Sequence, residues 1–578
     1  MDTKPVLLHW SDMSTPRWLP HYDAGVPATL EPYPPGTLVD YVDRHVAERP
    51  GAAALIFKGR RISWRELDTL SDAFAAALAA LGVRRGDRIA LLLPNCPQFA
   101  IAQFAVWKLG AVVVALNPIY TEHELVPPLA NTRARVVVAL TKFYDRVKAA
   151  QPQTGVELVI TTNIKDFLPP VLALLFTLLK EKKEGHRVTL AAGDLRLSDL
   201  LSRHNGQQPS RVKVTADDDA VILASGGTTG TPKGVVGQHK AYVYTGLQLY
   251  TWNKSVFDPV KDVILVPLPM FHVYANVGGF GLGVVTGSPL AMVPNPRDLP
   301  DVLKTIKATR PAFMLSVPTL FQAMLNNADV RAGKVDFSSI KISFSGAMAL
   351  MKATKEQFEQ LTGGRIIEGY SLTEGMMGCL VNPLKGKYKI GSIGLPLPDV
   401  HARIVDVETG TRELAPGEEG ELMLAAPQLM REYWNNREES GRTLRRDGEG
   451  RLWLHTGDIG YMDEEGYVFL TDRKKDLIKP GGYQVWPREV EEVLASHPAV
   501  AEVGVAGVPD AVKGEAVKAW VVLRADQTAT ADELQRLCKD KLASYKVPSA
   551  IEFRQELPKT MVGKILRREL VRQHISAA

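Results

Sequence analysis

Cysteine is scarce. Only Cys96, Cys379 and Cys538 occur in 578 residues, far apart, with no CxxC pair and no histidine cluster beside them. That excludes a disulfide framework and a thiolate zinc site, and it fits a reducing compartment. Long hydrophobic runs are missing too: no stretch reaches the ~20 apolar residues that a membrane span needs. Residues Met1 to Pro20 carry Asp2, Trp10 and Asp12 where a secretory leader has its apolar segment, so a cytoplasmic chain is expected. Charge of one sign is not in large excess: 69 Lys and Arg stand against 64 Asp and Glu, a net +5. A dedicated nucleic-acid binder concentrates cations on one element; no nucleic-acid partner is expected here, while anionic small molecules remain compatible. Internal repeats and low-complexity tracts are absent as well.

What is present is a globular composition, 45% hydrophobic and 23% charged, with length for several structural units. Ser63 and Glu66 have capping-box spacing, and Leu67, Leu70, Phe74, Leu78 and Leu81 recur at helical intervals before Gly82. Ile89 to Leu93 and Val112 to Leu116 read as buried strands, with a helix after Pro97 between them. Strands alternating with helices predict a parallel sheet covered by helices, and the rhythm returns between Val263 and Gly346. From Ile390 to Leu470, short β-like runs lie between turn signals such as Pro416-Gly417 and Glu465-Gly466, which predicts a β-rich subdomain. The run Asp472-Arg473-Lys474-Lys475-Asp476 holds no apolar residue. Alone it reads as a solvated turn; ahead of a small unit able to fold by itself it reads as a hinge. In that unit Pro487–Leu494 reads as a helix, Val500–Ala506 and Val517–Leu523 as strands, and Asp532–Leu542 as a helix. The expected fold is therefore α/β: a large N-terminal domain (1–472) of parallel α/β subdomains plus a β-rich subdomain, a hinge (473–476), and a small, mobile α+β C-terminal domain (477–578).

The most informative string is Ser225-Gly226-Gly227-Thr228-Thr229-Gly230-Thr231-Pro232-Lys233-Gly234, after the buried run Ala220–Ala224. Glycines let a backbone approach a ligand closely, successive N–H groups cradle anionic oxygens, and hydroxyls and one lysine add donors. It lacks the GK[ST] ending of the common P-loop. The string resembles the signature loop of adenylate-forming enzymes: acyl-CoA synthetases, luciferases and the adenylation domains of peptide synthetases. The resemblance implies that Ser225, Gly226, Gly227, Thr228, Thr229, Gly230 and Lys233 hold the β- and γ-phosphates of ATP. Gly226 stands where serine is usual, as in long-chain fatty acyl-CoA ligases.

Further motifs come in the family's order. Ser345-Gly346-Ala347 and Glu368-Gly369-Tyr370-Ser371-Leu372-Thr373-Glu374 each follow a buried run, where α/β folds place ligands. By resemblance they hold adenine and the α-phosphate: Gly346, Ala347, Glu368 and Gly369 around the nucleotide, Tyr370 against the purine, Thr373 toward the α-phosphate, and Glu374 on Mg²⁺, a hard cation that prefers oxygen ligands. Ser371 replaces the usual glycine. Trp453-Leu454-His455-Thr456-Gly457-Asp458 matches the ribose motif, with Asp458 accepting from the hydroxyls. In the charged run Arg473 is the implied nucleotide contact and Lys475 the pivot. Gly481-Gly482-Tyr483 suits the pantetheine channel, so Gly481 and Gly482 are expected at CoA. Pro558-Lys559-Thr560-Met561-Val562-Gly563-Lys564 matches the catalytic-lysine motif; outside that match Lys564, like Arg567 and Arg568, reads as exposed charge.

The resemblance, spanning about residues 30–572, implies a ligase acting in two steps. The substrate carboxylate attacks ATP to give acyl-AMP and pyrophosphate, and the CoA thiol then takes the acyl group. In Pro269-Met270-Phe271-His272 no acid follows Phe271, where amino-acid-activating domains carry an aspartate; His272 is a catalytic candidate. Gly278, Gly279, Gly281, Gly283 and Gly287 leave room for an apolar tail or allow close helix packing. A fatty acid is the favoured substrate. An aryl or medium-chain acid, or delivery of acyl-AMP to a carrier protein, stays open. Phe167 to Leu179, broken by Pro169-Pro170 and followed by Lys180-Glu181-Lys182-Lys183, reads either as a core helix or as a peripheral membrane contact at 167–183. A homodimer is also left open.

Overall fold

In the computed structural model, residues 16–577 are described except 211, 226–231, 349, 481, 482, 484, 511, 512 and 561–563. The side chains of residues 475 and 577 likewise lie outside the description.

Two large sheets organise the N-terminal part. One runs Glu432–Tyr433, Gly234–Gln238, Asp219–Ala224, Val112–Ala115, Arg88–Leu92, Val136–Leu140, Leu158–Thr162, Leu195–Arg196. It is parallel from Asp219–Ala224 onward and antiparallel at the edge formed by the first two strands. Its parallel strands are runs of Val, Ile, Leu and Ala buried on both faces, as helices on either side require. The helix Pro97–Lys108 is buried along its whole length, which explains why it is apolar all round. Its one cation, Lys108, ends among Asp68 (2.6 Å), Ser71 (2.8 Å) and Asp72 (2.7 Å) of the helix Trp64–Ala80. That helix starts at Ser63, whose side chain accepts from Glu66 N at 3.1 Å. Glu66 does not return the bond; its carboxylate meets Arg60 at 2.7 Å instead.

The second sheet places Ala53–Phe57, Leu290–Met292, Ile264–Val266, Phe313–Ser316, Ile342–Ser345 and Arg365–Tyr370 side by side and parallel. The β-rich region expected after Ile390 is not a separate layer. Leu380–Val381 bridges Arg365–Tyr370 to Ser392–Pro396, and the sheet continues antiparallel through Val468–Arg473, Leu452–Met462, Gly420–Ala425 and His401–Val405. The end of the last parallel strand, at Gly369 and Tyr370, therefore pairs directly with an antiparallel neighbour.

Beyond 473–476 a third sheet forms from Val500–Asp510, Gly514–Leu523 and Ala550–Phe553. With the helices Pro487–Ala495 and Ala531–Lys541 it encloses its own core, including Ile478, Val490, Leu494, Val505, Val521 and Leu534. The main core ends at Val468. One element departs from an interior helix altogether: Pro170–Leu179 buries none of its residues.

Candidate active site

A cavity of about 890 Å³ opens where the strands Asp219–Ala224, Ile342–Ser345 and Arg365–Tyr370 end. Its walls bring together Ser225, Lys233, His272, Gly346, Ala347, Gly369, Tyr370, Thr373, Glu374, Arg473 and Lys564. Residues 226–231, with Gly226, Gly227, Thr228, Thr229 and Gly230, lie outside the described residues, as do Gly481 and Gly482. The frame of the loop is described: Ala224 pairs with Gly234 in an antiparallel ladder, and Ser225 N donates to Lys233 O at 2.8 Å.

Backbone shape sets the cavity wall at Gly346 and Ala347. Ala347 sits at φ +69°, a left-handed conformation that costs a non-glycine residue about 1–2 kcal/mol. A Cβ on the preceding Gly346 would come 3.3 Å from the Tyr274 ring. Tyr274 donates to the carbonyls of Ser316 (3.2 Å) and Phe344 (3.1 Å), tying two strand ends together.

Asp458 is 2% exposed and stands opposite Arg473 in the antiparallel register. Arg473 Nε donates to Asp458 Oδ1 at 2.7 Å, and the Tyr370 hydroxyl donates to Oδ2. Burial, and then the Asp458 charge, pushes the Tyr370 phenol well above its ordinary range. The sequence placed these three residues in three motifs; the fold makes them one cluster.

Glu374 lies on the short turn Thr373–Gly375. Its Oε1 accepts from the Tyr433 hydroxyl at 2.7 Å, and its carbonyl accepts from Met430 N at 2.9 Å. Lys233 Nζ is 4.9 Å from the centre of the Tyr433 ring and pairs with Glu439. Tyr433 and Glu439 were missed in the sequence. Tyr433 lies on a two-residue strand and Glu439 on the seven-residue helix Arg437–Thr443, both too short to show a period.

Lys564 closes the cavity from the small domain. Its N–H donates to Thr560 Oγ1 at 3.1 Å and its carbonyl accepts from Thr560 N at 2.8 Å. Arg567 is not the exposed charge expected. Its guanidinium bonds Glu491 at 3.1 and 2.7 Å and Asp476 at 2.8 Å, so the start of the last helix is anchored to the segment after residue 473. Arg568 is exposed.

The charged run is less solvated than its composition suggests. Asp472 is 7% exposed and accepts N–H bonds from Arg473 and Arg488, both at 2.7 Å. Burial raises its carboxyl to about 6. Arg488 also donates to Leu470 O at 2.9 Å, and Lys474 donates to Val407 O at 2.8 Å and pairs with Glu421 at 3.1 Å.

Two further expectations change. The Glu368 carboxylate does not line the cavity: Tyr388 donates to one oxygen and Leu350 N to the other at 3.1 Å. The glycines from Gly278 to Gly287 do not open a tunnel. A Cβ would lie 2.3 Å from Leu315 Cδ1 at Gly279, 2.8 Å from Tyr242 O at Gly281 and 2.5 Å from Leu290 Cδ2 at Gly283, so the missing side chains serve close packing. Apolar room in the cavity lies instead beside Leu249, Val273, Met377, Leu380 and Val381. His272 reaches the cavity as a neutral imidazole, because burial lowers it to about 4, and its Nδ1 has no hydrogen-bond partner among the described residues.

This arrangement can hold a polyanion between Lys233, Arg473 and Lys564, with a carboxylate (Glu374) and a hydroxyl (Thr373) beside it. The profile of the AMP-binding enzyme family matches residues 42–434, and that of the AMP-binding enzyme C-terminal domain matches residues 489–564. The chain is 38% identical to the long-chain-fatty-acid–CoA ligase of Bacillus subtilis (strain 168) over 558 residues, 96% of this chain and 98% of that one. It is 37% identical to the same-named protein of Yersinia pestis over 555 residues, 96% and 97% of the two chains. Among solved structures, an anthranilate CoA ligase in complex with anthranoyl-AMP superposes with a TM-score of 0.79 at 28% identity, covering 94% of this chain and 98% of that one.

Proposed function

The chain belongs to the AMP-binding enzyme family, and from that premise we propose that it is an ATP-dependent acid–thiol ligase for long-chain fatty acids. It joins a fatty acid and ATP into acyl-AMP and pyrophosphate, then passes the acyl group to CoA with release of AMP. The observation that carries this reading is that Lys564, from the small domain, lines the same cavity as Tyr370, Thr373, Glu374 and Arg473.

The obstacle in the first step is charge, since a carboxylate must approach a polyphosphate. Lys564 is proposed to stand between the two, a preorganised cation at the point where charge develops. Thr373 donates to the α-phosphate, and Asp458, held by Arg473 and Tyr370, receives the ribose. His272, neutral, faces the acyl carboxylate as a hydrogen-bonding group without adding charge. Glu374 and Thr373 are hard oxygen donors of the kind Mg²⁺ prefers. Among the described residues no cluster of three acidic, histidine or cysteine side chains could cage a metal, so phosphate oxygens would supply most of its ligands. When bound, Mg²⁺ offsets phosphate charge. The domains proposed are 1–472 and 477–578 about a hinge at 473–476, and turning of the small domain would take Lys564 away before CoA attacks.

A pyrophosphate-release screen with and without CoA tests the substrate. Fatty acids of about ten carbons or more should outperform acetate and benzoate, because each buried methylene contributes roughly 0.8 kcal/mol. A highest kcat/KM for acetate or an amino acid would overturn the assignment.

A peripheral membrane contact is also proposed. Among the described residues no helix is long and apolar enough to cross a membrane. On Pro170–Leu179, however, Val171, Leu178 and Leu179 are each 70% exposed and Leu174 60%. With Leu175 they form one stripe at helical spacing, beside the exposed Lys180, Lys182 and Lys183. An apolar face flanked by lysines suits an anionic bilayer surface, where fatty acids partition. Phe176 turns inward against His186, so the test spares it. Leu174→Glu with Leu178→Glu should abolish flotation with anionic liposomes, and equal flotation of variant and wild type would sink the idea.

A further inference from the structure

We propose that Glu439 is a built-in competitor for the phosphate-side lysine, weakening the hold on ATP and speeding the departure of pyrophosphate. The proposal rests on the reading that Lys233 contacts the polyphosphate.

Both side chains line the cavity, they touch directly, and each is 29% exposed. The contact is built into the fold. Glu439 sits in the helix Arg437–Thr443, where its own N–H is capped by Asn436 Oδ1 at 3.2 Å. Ser440 Oγ accepts from Tyr433 N at 2.9 Å and donates to Asn436 O at 2.6 Å. Tyr433 pairs with Val235, and Trp434 N donates to Gly234 O at 2.7 Å, immediately after Lys233. One ladder thus carries both the acid and the lysine, and it holds them together across 206 residues of sequence.

The neighbouring acids are otherwise engaged. Glu374 takes the Tyr433 hydroxyl at 2.7 Å, and Glu438 takes Arg442 at 2.5 Å. Glu439 is therefore the carboxylate that an arriving phosphate must displace from Lys233. Its negative charge also stays beside the polyanion after displacement, and it can recapture the ammonium when pyrophosphate leaves. A full anion in that place lowers affinity for ATP and for pyrophosphate alike, because it interacts with the phosphates rather than with the acyl group or the ribose.

The experiment uses the full chain and added inorganic pyrophosphate as the probe. Glu439→Gln should tighten inhibition by pyrophosphate and lower KM for ATP, each roughly fivefold, the size of one half-exposed ion pair. KM for the fatty acid and the melting temperature should not change. Glu439→Asp, which keeps the charge, should restore most of the wild-type pyrophosphate sensitivity. Lys233→Ala should weaken pyrophosphate inhibition, and on that background Glu439→Gln should lose its tightening effect. If Lys233→Ala leaves pyrophosphate inhibition unchanged, the phosphate reading of Lys233 fails. If Lys233→Ala weakens inhibition but Glu439→Gln weakens it too, or leaves it alone, Glu439 orients the lysine instead and the competitor proposal is overturned. A Glu439→Gln chain that melts early is replaced by Glu439→Ala, judged by the same ratio of pyrophosphate inhibition to wild type.

Discussion

Lys564→Ala loses roughly a thousandfold in acyl-AMP formation and little in the thioester step. Two opposite charges ~4 Å apart interact by about 4 kcal/mol at an effective dielectric of 20. A contact of that size made mainly in the transition state corresponds to about three orders of magnitude in rate. Lys564 lines the same cavity as Thr373 and Glu374, as the proposed first step requires. After the small domain turns, the same ammonium would be distant from the acyl carbonyl, so supplied acyl-AMP and CoA should still give acyl-CoA. Folding should survive, because alanine keeps both main-chain bonds to Thr560. Arg567→Ala, three residues on, should do the opposite. It strips Glu491 and Asp476 of their shared cation, lowers the melting temperature and impairs both steps. Equal impairment of the two half-reactions by Lys564→Ala, with an unchanged melting temperature, would refute the step-specific role.

That contrast between Lys564 and Arg567 shows what the sequence could carry. Alternating strands and helices, and motifs placed after buried runs, were legible because hydrophobic periodicity reports burial and strand ends report where ligands bind in α/β folds. Tyr370, Thr373 and Glu374 follow such a run, were singled out by the family resemblance of their motif, and reach the cavity. Long-range pairing leaves no local trace. Nothing around Arg567 announces Glu491, 76 residues away, and nothing around Lys233 announces Glu439. The Glu368 side chain was misplaced for a related reason. On a strand, successive residues point to opposite faces, and a motif string does not say which of its members turns toward Tyr388. The glycines near Gly281 were legible as small residues, but whether a missing side chain leaves space or a contact depends on the partner helix, here His239–Asn253 with Tyr242.

Asp458→Ala should damage stability and nucleotide binding together. The carboxylate is 2% exposed and receives both Arg473 Nε and the Tyr370 hydroxyl. Alanine leaves a guanidinium and a phenol without their acceptor, and breaking one side of a buried ion pair costs about 3–5 kcal/mol. Arg473 keeps some access to water, its side chain being 29% exposed, so the loss should fall at or below the lower end, roughly 2–3 kcal/mol by urea unfolding. AMP binding, followed by equilibrium dialysis, should weaken by about a hundredfold or more, since two ribose hydroxyls lose a charged acceptor at roughly 1.5–3 kcal/mol each. Asp458→Asn separates the two effects. The amide oxygen can still accept from Tyr370, but the NH2 then faces the Arg473 Nε–H, donor against donor, so only part of the stability should return. The negative charge opposite Arg473 does not return, and nucleotide affinity should stay low. If Asp458→Asn instead recovers affinity and stability in parallel, the carboxylate acts only as a brace for Arg473 and Tyr370, and the ribose is held elsewhere.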